Sequence, residues 1–562
     1  MKPTIVELPR NEAEELLQRA AGALNPEDYQ LIKAVVESYA YLTDLLEDKG
    51  TTIQRLRKLL FGASTEKTRA VFEPQPHHAE GATPPVASAD GAGATATPDT
   101  AAPRKGHGRH GAEDYSGAEK ISVSHTSLHA GNACPDCQQG TVYESAHPGV
   151  LVRIAGQAPL QARIYELQKL RCHLCGKVFT AEPPPGVGTE KYDATAGSMI
   201  ALLKYGTGLP FHRLEGLQAS LGLPLPAATQ WDIVHDLAER IEPAYEELIR
   251  PAAQGEVLFN DDTTIKILEL MGKRAAAQRL AAAAADPAAA GESTGTSPTE
   301  RRGMFTSGIV STRGGQRIAL FFSGRQHAGE NLAAVLARRV ADLGPPIQMC
   351  DALSRNLPAD LRTVLAHCLA HGRRQFVEVA ERFPTHCRHV LDQLAEVYKH
   401  DALAREQKLS PEARLQFHQA HSGPVMARLQ AWLTTQFEDR LVEPNSGLGQ
   451  AITYLLKHWE KLTLFLCQPG APLDNNVCER ALKRAILHRK NALFFKTCHG
   501  AHVGDIFMSL IHTCQLCGAN PFDYLTELQN HAAELATNPA QWMAWNYREA
   551  LPFATPPLST VT

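Results

Sequence analysis

The spacing of apolar residues changes at Gly255 from a helical repeat to strand-like runs, and this change constrains the fold more than any other feature of the sequence. Three strand-like segments, an amphipathic helix and a fourth short strand follow, at residues 256–268, 304–310, 318–322, 328–343 and 347–350. This order of elements predicts an α/β domain in which Asp351 stands at the C-terminal end of the fourth strand.

Three acidic residues on separate predicted elements are candidates for a metal site. Asp261 lies on the first strand, Asp351 follows the fourth, and Glu479 lies near the start of a late helix that begins after Asp474 and two asparagines. Carboxylates from separate elements can hold two magnesium ions and leave positions for water and phosphate oxygens. The chain has 60 acidic residues, so spacing alone does not establish such a site. Taken alone, the late helix fits a solvated surface with a Glu479–Lys483 pair.

A long helical stretch separates the second acid from the third. From about Pro358 to Pro469 apolar residues recur at helical spacing almost throughout. We therefore expect an all-α insertion that loops out of the sheet domain and allows Glu479 to lie beside Asp351. Beyond Glu479, residues 503–517 predict another apolar helix, in which Cys514 and Cys517 are expected to be core thiols.

Two cysteine pairs precede the sheet domain. Cys134-Pro-Asp-Cys137 and Cys172-His-Leu-Cys175 each present two thiols across a tight turn, with β-rich sequence between the pairs. Two such turns close a tetrahedral four-sulfur zinc site of the ribbon type, and the pattern favours zinc over free thiols. Because all four ligands are protein thiolates, no coordination position stays open, and the expected ion is one structural Zn²⁺.

The N-terminal part of the chain predicts a long helix followed by a linker. Residues 28–61 carry a heptad pattern broken only at Lys49, which favours a coiled coil, while a single amphipathic helix packed on its own protein is the alternative. The stretch from about Glu73 to Ala118 is rich in Ala, Pro, Gly, Thr and His and cannot bury a core. Its basic end fits either a phosphate-binding arm or a solvated tail.

Residues 192–250 have a helical pattern. A helix from Arg213 to Leu221 is followed by a Gly/Pro turn and by a second helix from about Ala227 to Ile241. This arrangement fits a helix-turn-helix, and it fits equally well two helices packed for structural reasons alone.

Length and charge exclude several classes of protein. The chain has 562 residues, more than one hydrophobic core can hold, so several domains are expected. A net charge of −4 excludes a globally basic protein, so contacts with nucleic acid must come from local patches. The sequence starts without an apolar signal-peptide core and has no apolar run long enough to cross a bilayer, so we expect a soluble cytoplasmic protein without membrane association.

Four stretches carry a resemblance to a known family. They are Asn260-Asp-Asp-Thr263, Met349-Cys-Asp-Ala352, Cys368-Leu-Ala-His371-Gly-Arg373-Arg374-Gln-Phe376 and Leu473-Asp-Asn-Asn-Val-Cys-Glu479-Arg-Ala-Leu482. They resemble the motifs of DDE transposases of bacterial insertion sequences, most closely the sixty-six family, whose large protein is the transposase. The resemblance covers nearly the whole chain. It departs from the family pattern at Leu369, Gly372 and Cys478, none of which is a predicted metal ligand.

The resemblance implies a ribonuclease-H-like catalytic core interrupted by the all-α insertion. Carried over by motif, the catalytic residues are Asp261, Asp351 and Glu479, which would hold two Mg²⁺ or Mn²⁺ ions, and Asp262 is the less favoured first acid. Cys368 and His371 match a cysteine and a histidine that support the site from behind in related enzymes. The alternative for this pair is a core cysteine and a hydrogen-bonded histidine.

The resemblance also implies partners. DNA is expected at the element ends and at the target, with phosphate contacts from basic residues near the site. These residues are Arg373, Arg374, Arg480, Lys483, Arg484, Arg489 and Lys490. We further expect at least a homodimer, paired through the coiled coil, small accessory proteins of the same element, and a nucleoid-associated location in a bacterial cytoplasm.

The sequence features predict a multidomain α/β protein, and the family resemblance implies that its core is ribonuclease-H-like and follows a coiled-coil helix, a zinc ribbon and a helical DNA-binding region. The predicted segments are a helical or coiled-coil segment (1–72), a disordered linker with a basic end (73–118), the zinc ribbon (119–188), a helix-turn-helix-like region (189–252), the first part of the core (253–357), the all-α insertion (358–470), the second part of the core with Glu479 (471–518) and a C-terminal region (519–562).

The expected function is that of an insertion-sequence transposase, which binds terminal inverted repeats and performs metal-dependent DNA strand cleavage and strand transfer. The alternative is a catalytically silent DNA-binding regulator, or a defective transposase, that keeps the fold.

Overall fold

The structure is a computed structural model, and it describes part of the chain. The described residues are 25, 28–30, 32–34, 127–139, 141–142, 158–171, 178–185, 187, 190–272, 303–358 and 362–551. They belong to two compact units, a smaller one with residues up to 200 and 210–234, and a larger one with residues 201–209 and those from 235 onward together with the few described residues near the N-terminus. Most of the predicted coiled coil and the whole predicted linker lie outside the described residues.

The smaller unit contains the first of the two cysteine turns. Cys134 to Cys137 form a tight turn, which the N–H of Gln138 closes by donating to the carbonyl oxygen of Cys134 at 2.9 Å. Gln138 has a φ of 55°, and an antiparallel bridge between Ala133 and Thr141 flanks the turn. A turn of this kind can present two thiols on one side, as the zinc prediction requires.

The second cysteine pair lies in the connection between two short strands. Strands β1 (Lys169–Arg171) and β2 (Val178–Thr180) pair antiparallel. The segment that joins them contains Cys172 and Cys175, which lie outside the described residues. The structure therefore describes only two of the four predicted zinc ligands, and the zinc site stays a prediction.

Four helical segments follow in the region 192–250 that was predicted to be helical, and the second predicted helix extends to Ala253 instead of ending at Ile241. The four segments are α1 (Ala194–Ala201), a π-helix (Leu202–Gly206), α2 (Phe211–Ser220) and α3 (Ala227–Ala253). Helix α2 ends before Gly222, whose φ of +77° continues the chain into the Gly/Pro turn. Buried Gln230 on α3 donates to the carbonyl oxygens of Leu225 at 2.9 Å and Phe211 at 3.1 Å, which fixes the turn between α2 and α3.

The larger unit is built on a five-stranded mixed sheet with the strand order β5-β4-β3-β6-β7. The strands are β3 (Val257–Thr264), β4 (Phe305–Arg313), β5 (Gln316–Gly324), β6 (Ile347–Cys350) and β7 (Val364–His367), and helix α4 (Ala328–Leu336) connects β5 to β6. Strands β3, β4 and β5 are antiparallel, and β6 and β7 run parallel to β3 and to each other. The predicted order of three strands, a helix and a fourth strand is confirmed.

Strand β7 corrects the prediction that the chain is helical from about Pro358. Val364 pairs with Ile347 and His367 with Cys350, so the sheet continues by one strand beyond Asp351. Val364 to His367 is a short, mostly apolar run, and periodicity alone cannot distinguish such a run from part of a helix. The predicted helix at 328–343 was also too long, since α4 ends at Leu336.

Five α-helices and a 3-10 helix (Leu464–Leu466) follow β7 before the third acid. The α-helices are α5 (Leu369–Val379), α6 (Pro384–Glu406), α7 (Pro411–Glu438), α8 (Gly447–Lys457) and α9 (Trp459–Leu462). Asp401 on α6 joins α6 to α7 through Arg414 at 2.7 Å and His418 at 3.4 Å. Burial by itself raises the pKa of Asp401, but the hydrogen bond to His418 and the charge of Arg414 outweigh it and lower the pKa to about 2.

Five α-helices end the described chain, and the second of them covers the β5 edge of the sheet. They are α10 (Asn476–Ala492), α11 (Cys498–Leu516), α12 (Pro521–Asn530), α13 (Ala532–Thr537) and α14 (Tyr547–Ala550). Side chains four residues apart on α11 accept hydrogen bonds from alternate N–H groups of edge strand β5. The pairs are Thr513 with Ala319 at 3.1 Å, Ser509 with Phe321 at 2.9 Å and Asp505 with Ser323 at 2.6 Å. The spacings match because four helical residues rise about 6 Å and two strand residues about 6.7 Å.

This edge contact removes exposed backbone donors that would otherwise pair with another chain. The predicted apolar helix at 503–517 corresponds to most of α11, which starts earlier, at Cys498, and ends at Leu516, with Cys514 buried in the core and Cys517 half-buried after the helix. Across the described part of the chain, no helix combines the length and apolar character needed to span a membrane.

Candidate active site

Two of the predicted acids lie side by side on neighbouring parallel strands. Phe259 on β3 pairs with Met349 on β6, and Asp261 and Asp351 each follow two residues later. The side-chain amide of Asn356 donates to Asp351 Oδ1 at 2.6 Å and lies 3.5 Å from Asp261 Oδ1. The two carboxylates therefore share one amide group.

The neighbouring acid, Asp262, is directed away from this pair, because successive side chains on a strand point to opposite faces. Its carboxylate lies 2.9 Å from His327 Nδ1 and 3.3 Å from a guanidinium nitrogen of Arg355, and its side chain is only 1% exposed. Asp262 thus joins β3 to α4 and to the turn after β6. This arrangement favours Asp261 over Asp262 as the first acid of the site.

Helix α10 presents Glu479 from its first turn. The predicted helix start is close to the observed one, but buried Asn475 does not cap the helix with its side chain. Its side-chain amide donates to the carbonyl oxygen of Asn260 at 3.1 Å, and its backbone N–H donates to Cys368 Sγ at 3.2 Å. These bonds tie the start of α10 to β3 and to the residue before α5.

Close packing on β4 sets the depth at which α10 sits. Gly308 is the partner of Asp261 in the β3–β4 register, and a Cβ atom there would lie 3.0 Å from two side-chain carbons of Leu482. Cys478 Sγ donates to the carbonyl oxygen of Gly308 at 3.2 Å. Because Glu479 follows Cys478, the helix turn that carries it lies directly over the strand pair that carries Asp261.

The electrostatics of the acids favour binding of a cation. Burial, with the charges of Asp351, Asp262 and Glu479, raises the pKa of Asp261 to about 7 against the lowering effect of its hydrogen bond from the Asp262 N–H. Glu479 Oε1 is buried without a hydrogen-bond partner among the described residues. Carboxylates that repel one another, with an oxygen left unsatisfied, are a donor set that fits Mg²⁺ or Mn²⁺.

Cys368 and His371 lie behind Glu479. His371 Nε2 is 3.9 Å from Glu479 Oε1, and the cysteine sulfur, a histidine nitrogen and a carboxylate oxygen all lie within 4.8 Å of one another. Burial raises the pKa of the Cys368 thiol to about 12, so the thiol stays protonated at neutral pH. Cys368 Sγ also accepts the backbone N–H of Asn475, which fits a packing role, and His371 lies next to Glu479.

Three of the predicted phosphate-binding cations form an exposed stripe along α10. Arg480, Lys483 and Lys490 are exposed on the helix that carries Glu479. Arg373 and Arg374 are half-buried on α5, two and three residues after His371. We define the α10 stripe as Arg480, Lys483 and Lys490.

The other two cations hold the protein together. The guanidinium of Arg484 donates to His512 Nδ1 at 3.1 Å, to the Gly206 carbonyl oxygen at 3.0 Å and to Gln515 Oε1. Arg489 donates to Thr263 Oγ1 at 3.1 Å and to both oxygens of Thr264. Each nitrogen of the Arg484 guanidinium already bonds inside the fold, so this residue has a structural role, and its contact with phosphate stays a prediction.

Sequence reasoning missed the polar residues beneath the acids. Asn260, Gln348 and Asn356 are fully buried, and two of them lie on strands that otherwise predict apolar core. A polar side chain within a buried strand was the available signal, since such a group is buried only when it is hydrogen-bonded.

Gly329, on the first turn of α4, fixes the position of the turn that carries Asn356. A Cβ atom at Gly329 would lie 2.3 Å from the carbonyl oxygen of Leu357 and 2.8 Å from that of Arg355. Helix propensity alone makes Gly→Ala stabilising by about 1 kcal/mol, but we expect Gly329→Ala to lower the free energy of unfolding by about 1–3 kcal/mol, the usual range for overpacking. Urea denaturation measures this change.

The matched control for this prediction is Ala334→Gly at an exposed position of the same helix. Ala334→Gly measures how much exchanging alanine and glycine in this helix changes the free energy of unfolding when no backbone contact is involved. A stabilised Gly329→Ala protein would show that the close contact between α4 and the turn is not present.

Comparison with known proteins gives the class of the chain. Residues 191–503, more than half of its length, match the family described as Transposase IS66 family. The chain is therefore a transposase by family. Within that class it belongs to the IS66 family, as the resemblance of its four motifs predicted.

Three similar proteins come from Sinorhizobium fredii, and each is named as an uncharacterized protein. The protein y4jD is 27% identical over 383 residues, which is 67% of this chain and 71% of y4jD. The protein y4qI is 25% identical over 353 residues, with 62% and 61% covered, and y4hP is 25% identical over 408 residues, with 68% and 67% covered. Their names state no activity, so they support relatedness and nothing about chemistry.

Proposed function

We propose that this chain is an insertion-sequence transposase that binds terminal inverted repeats and performs metal-dependent DNA strand cleavage and strand transfer. The observation that carries the proposal is the shared amide between Asp261 and Asp351, with Glu479 close enough to raise the pKa of Asp261. Membership in a transposase family supplies the reaction class.

The sheet supports a ribonuclease-H-like core. Three antiparallel strands occupy one side of the order β5-β4-β3-β6-β7, and two strands parallel to β3 occupy the other. The acids stand on the central strand β3, after β6 and on α10, which follows the helical insertion. This is the order of elements that the family resemblance implied, with the insertion between the second and third acids.

Asp261, Asp351 and Glu479 are the residues that would hold two Mg²⁺ or Mn²⁺ ions. When bound, such ions lower the pKa of an attacking water or 3′-hydroxyl and stabilise the leaving oxygen. The protein contributes a half-buried, mutually repelling set of carboxylates, in which the Asn356 amide holds Asp351 and His371 lies 3.9 Å from Glu479. No covalent protein–DNA intermediate is needed, because the attacking oxygen belongs to water or DNA.

The α10 stripe is the surface that we propose for the DNA backbone near the site, together with Arg373 and Arg374. Cations bound to phosphates add affinity and salt dependence rather than sequence choice. Recognition of the element ends is assigned to the zinc ribbon and to helices α2 and α3, and pairing of two subunits to the predicted coiled coil. Small accessory proteins of the same element remain part of this proposal.

The test of the function is incubation of the purified full chain with labelled element ends and Mg²⁺. We expect nicked ends and, with target DNA present, joined products. A wild-type protein that binds the ends tightly but yields neither product would instead support the alternative of a catalytically silent DNA-binding regulator.

Neutralising the α10 stripe is expected to weaken DNA binding and its dependence on salt. The triple substitution Arg480→Ala, Lys483→Ala and Lys490→Ala removes three phosphate contacts. Each contact contributes about 0.9 to the slope of log DNA-association constant against log salt concentration, so this slope becomes about 2.7 smaller in magnitude. Fluorescence anisotropy with labelled element ends at several salt concentrations measures this slope.

The matched control replaces three exposed cations of the helical insertion, Lys399→Ala, Lys408→Ala and Arg428→Ala. It removes the same charge from a different surface. If the salt dependence of DNA binding is equally reduced in both triple variants, the reduction comes from overall charge. That result would contradict the proposed DNA-binding surface.

A further inference from the structure

A cluster of buried carboxamides lies directly beneath the acids. The side chains of Asn260 and Gln348 each donate to the backbone carbonyl oxygen of Asn356 at 2.8 Å. Gln348 also donates to Asn260 Oδ1 at 2.9 Å and accepts from Thr363 Oγ1 at 2.8 Å. The bonds from Asn260 and Gln348 fix the backbone at Asn356 from β3 and from β6, whereas Thr363 contacts only Gln348.

The side chain of Asn356 faces the opposite way, toward the acids. It is fully buried, and its amide nitrogen lies 2.6 Å from Asp351 Oδ1 and 3.5 Å from Asp261 Oδ1. An amide group has two N–H donors, so one nitrogen can serve both carboxylates. The backbone bonds hold the residue in place while its side chain joins the two acids.

The same cluster reaches the element that carries the third acid. Asn475, also fully buried, donates from its side chain to the carbonyl oxygen of Asn260 at 3.1 Å and stands immediately before α10. Carboxamide side chains thus connect β3, β6 and α10, the three elements with Asp261, Asp351 and Glu479.

Carboxamides suit this position for an electrostatic reason. A lysine or arginine between the acids would neutralise them and compete with a metal ion for the same oxygens. A neutral amide donates to one oxygen of each carboxylate without cancelling its charge, which leaves the other oxygens for a cation. Hydrogen bonds that orient metal ligands commonly change metal affinity by 10- to 100-fold when they are removed.

We propose that Asn356 is a positioning residue that sets the carboxylates of Asp261 and Asp351 in place for a divalent cation. This inference rests on the proposed metal-dependent function. It assigns to Asn356 an effect on metal affinity that is separate from its contribution to folding.

The experiment uses Asn356→Leu in the full chain, which keeps the side-chain size and removes the donor. Calorimetric titration of the protein with Mn²⁺ in metal-free buffer, without DNA, measures the dissociation constant. We expect this constant to rise about tenfold or more, while the nicking rate at saturating Mn²⁺ falls far less. Circular dichroism confirms folding, and Asn356→Ser, too short to reach both acids, serves as a second variant with the same expected change.

The matched control is Thr363→Val, which removes a hydrogen bond to Gln348 in the same cluster without touching an acid. We expect it to lower stability and to leave the dissociation constant for Mn²⁺ within twofold of wild type.

If Asn356→Leu and Asn356→Ser also bind Mn²⁺ like wild type, Asn356 is only structural and the inference is overturned. A wild-type protein that binds Mn²⁺ but cuts no DNA overturns the proposed catalytic function alone, and one that binds no Mn²⁺ overturns the inference.

Discussion

Replacing Asp351 with asparagine, or Glu479 with glutamine, is expected to lower Mg²⁺-dependent nicking of labelled element ends by at least about a thousandfold. Each substitution keeps the size of the side chain and removes one negatively charged oxygen ligand, so the fold is preserved and the metal site is not. Because every 1.36 kcal/mol of transition-state stabilisation is a factor of ten, this loss corresponds to about 4 kcal/mol. Single-turnover nicking with excess protein measures it.

Asp262→Asn is the control for this prediction. Asp262 is paired with His327 and Arg355, so its substitution should lower stability while nicking by the folded fraction stays within about tenfold of wild type. If the Asp351 and Glu479 variants nick as well as wild type, the catalytic assignment is wrong. If Asp262→Asn alone abolishes nicking, Asp262 rather than Asp261 is the first acid.

Asp261→Asn is expected to stabilise the metal-free protein at pH 8. Burial, with the charges of neighbouring acids, raises the pKa of Asp261 from 3.8 to about 7. Below pH 4 the carboxyl is protonated in both the folded and the unfolded chain and has no effect. As pH rises from about 4 to 7 only the unfolded chain releases this proton, so the free energy of unfolding falls by up to about 4 kcal/mol.

The amide in Asp261→Asn cannot ionise, and its oxygen can still accept from the Asp262 N–H. Urea denaturation in metal-free buffer at pH 5 and pH 8 should therefore show a smaller loss of stability with pH than in wild type. Added Mg²⁺ should raise the stability of wild type at pH 8, because it binds the folded state, and should have little effect on the variant.

Asp505→Asn is the matched control for Asp261→Asn. Burial also raises the pKa of Asp505 to about 7, but this residue lies at the β5 edge, where it accepts two hydrogen bonds from Ser323. The substitution of Asp505 should change how the free energy of unfolding depends on pH. It should leave the stabilisation by added Mg²⁺ as large as in wild type. A metal effect lost in Asp505→Asn, or retained in Asp261→Asn, would contradict the placement of the cation at Asp261.

Local sequence signals were sufficient for elements whose pattern is short-range. The strand-like run of β3, the helical repeats of α3 and α11, and the acid after β6 depend on residues near one another in the chain. The same holds for the helix start before Glu479, although Asn475 turned out to bond to β3 and not to cap its helix. Strand β7 was missed because a short apolar run has no period of its own, and only its pairing with β6 makes it a strand.

The sequence by itself determined the family, the order of the first sheet elements and the choice of three separated acids as candidate metal ligands, because each of these depends on short contiguous motifs. Tertiary structure alone decided which of two adjacent aspartates lies beside Asp351, which cations are exposed on α10 and which bond inside the fold, and how buried amides connect the acids. The physical reason is that these properties depend on hydrogen bonds and packing between residues far apart in the chain, such as Asn356 with Asp261 and Arg484 with Gly206. A linear pattern carries no information on such contacts until the chain is folded.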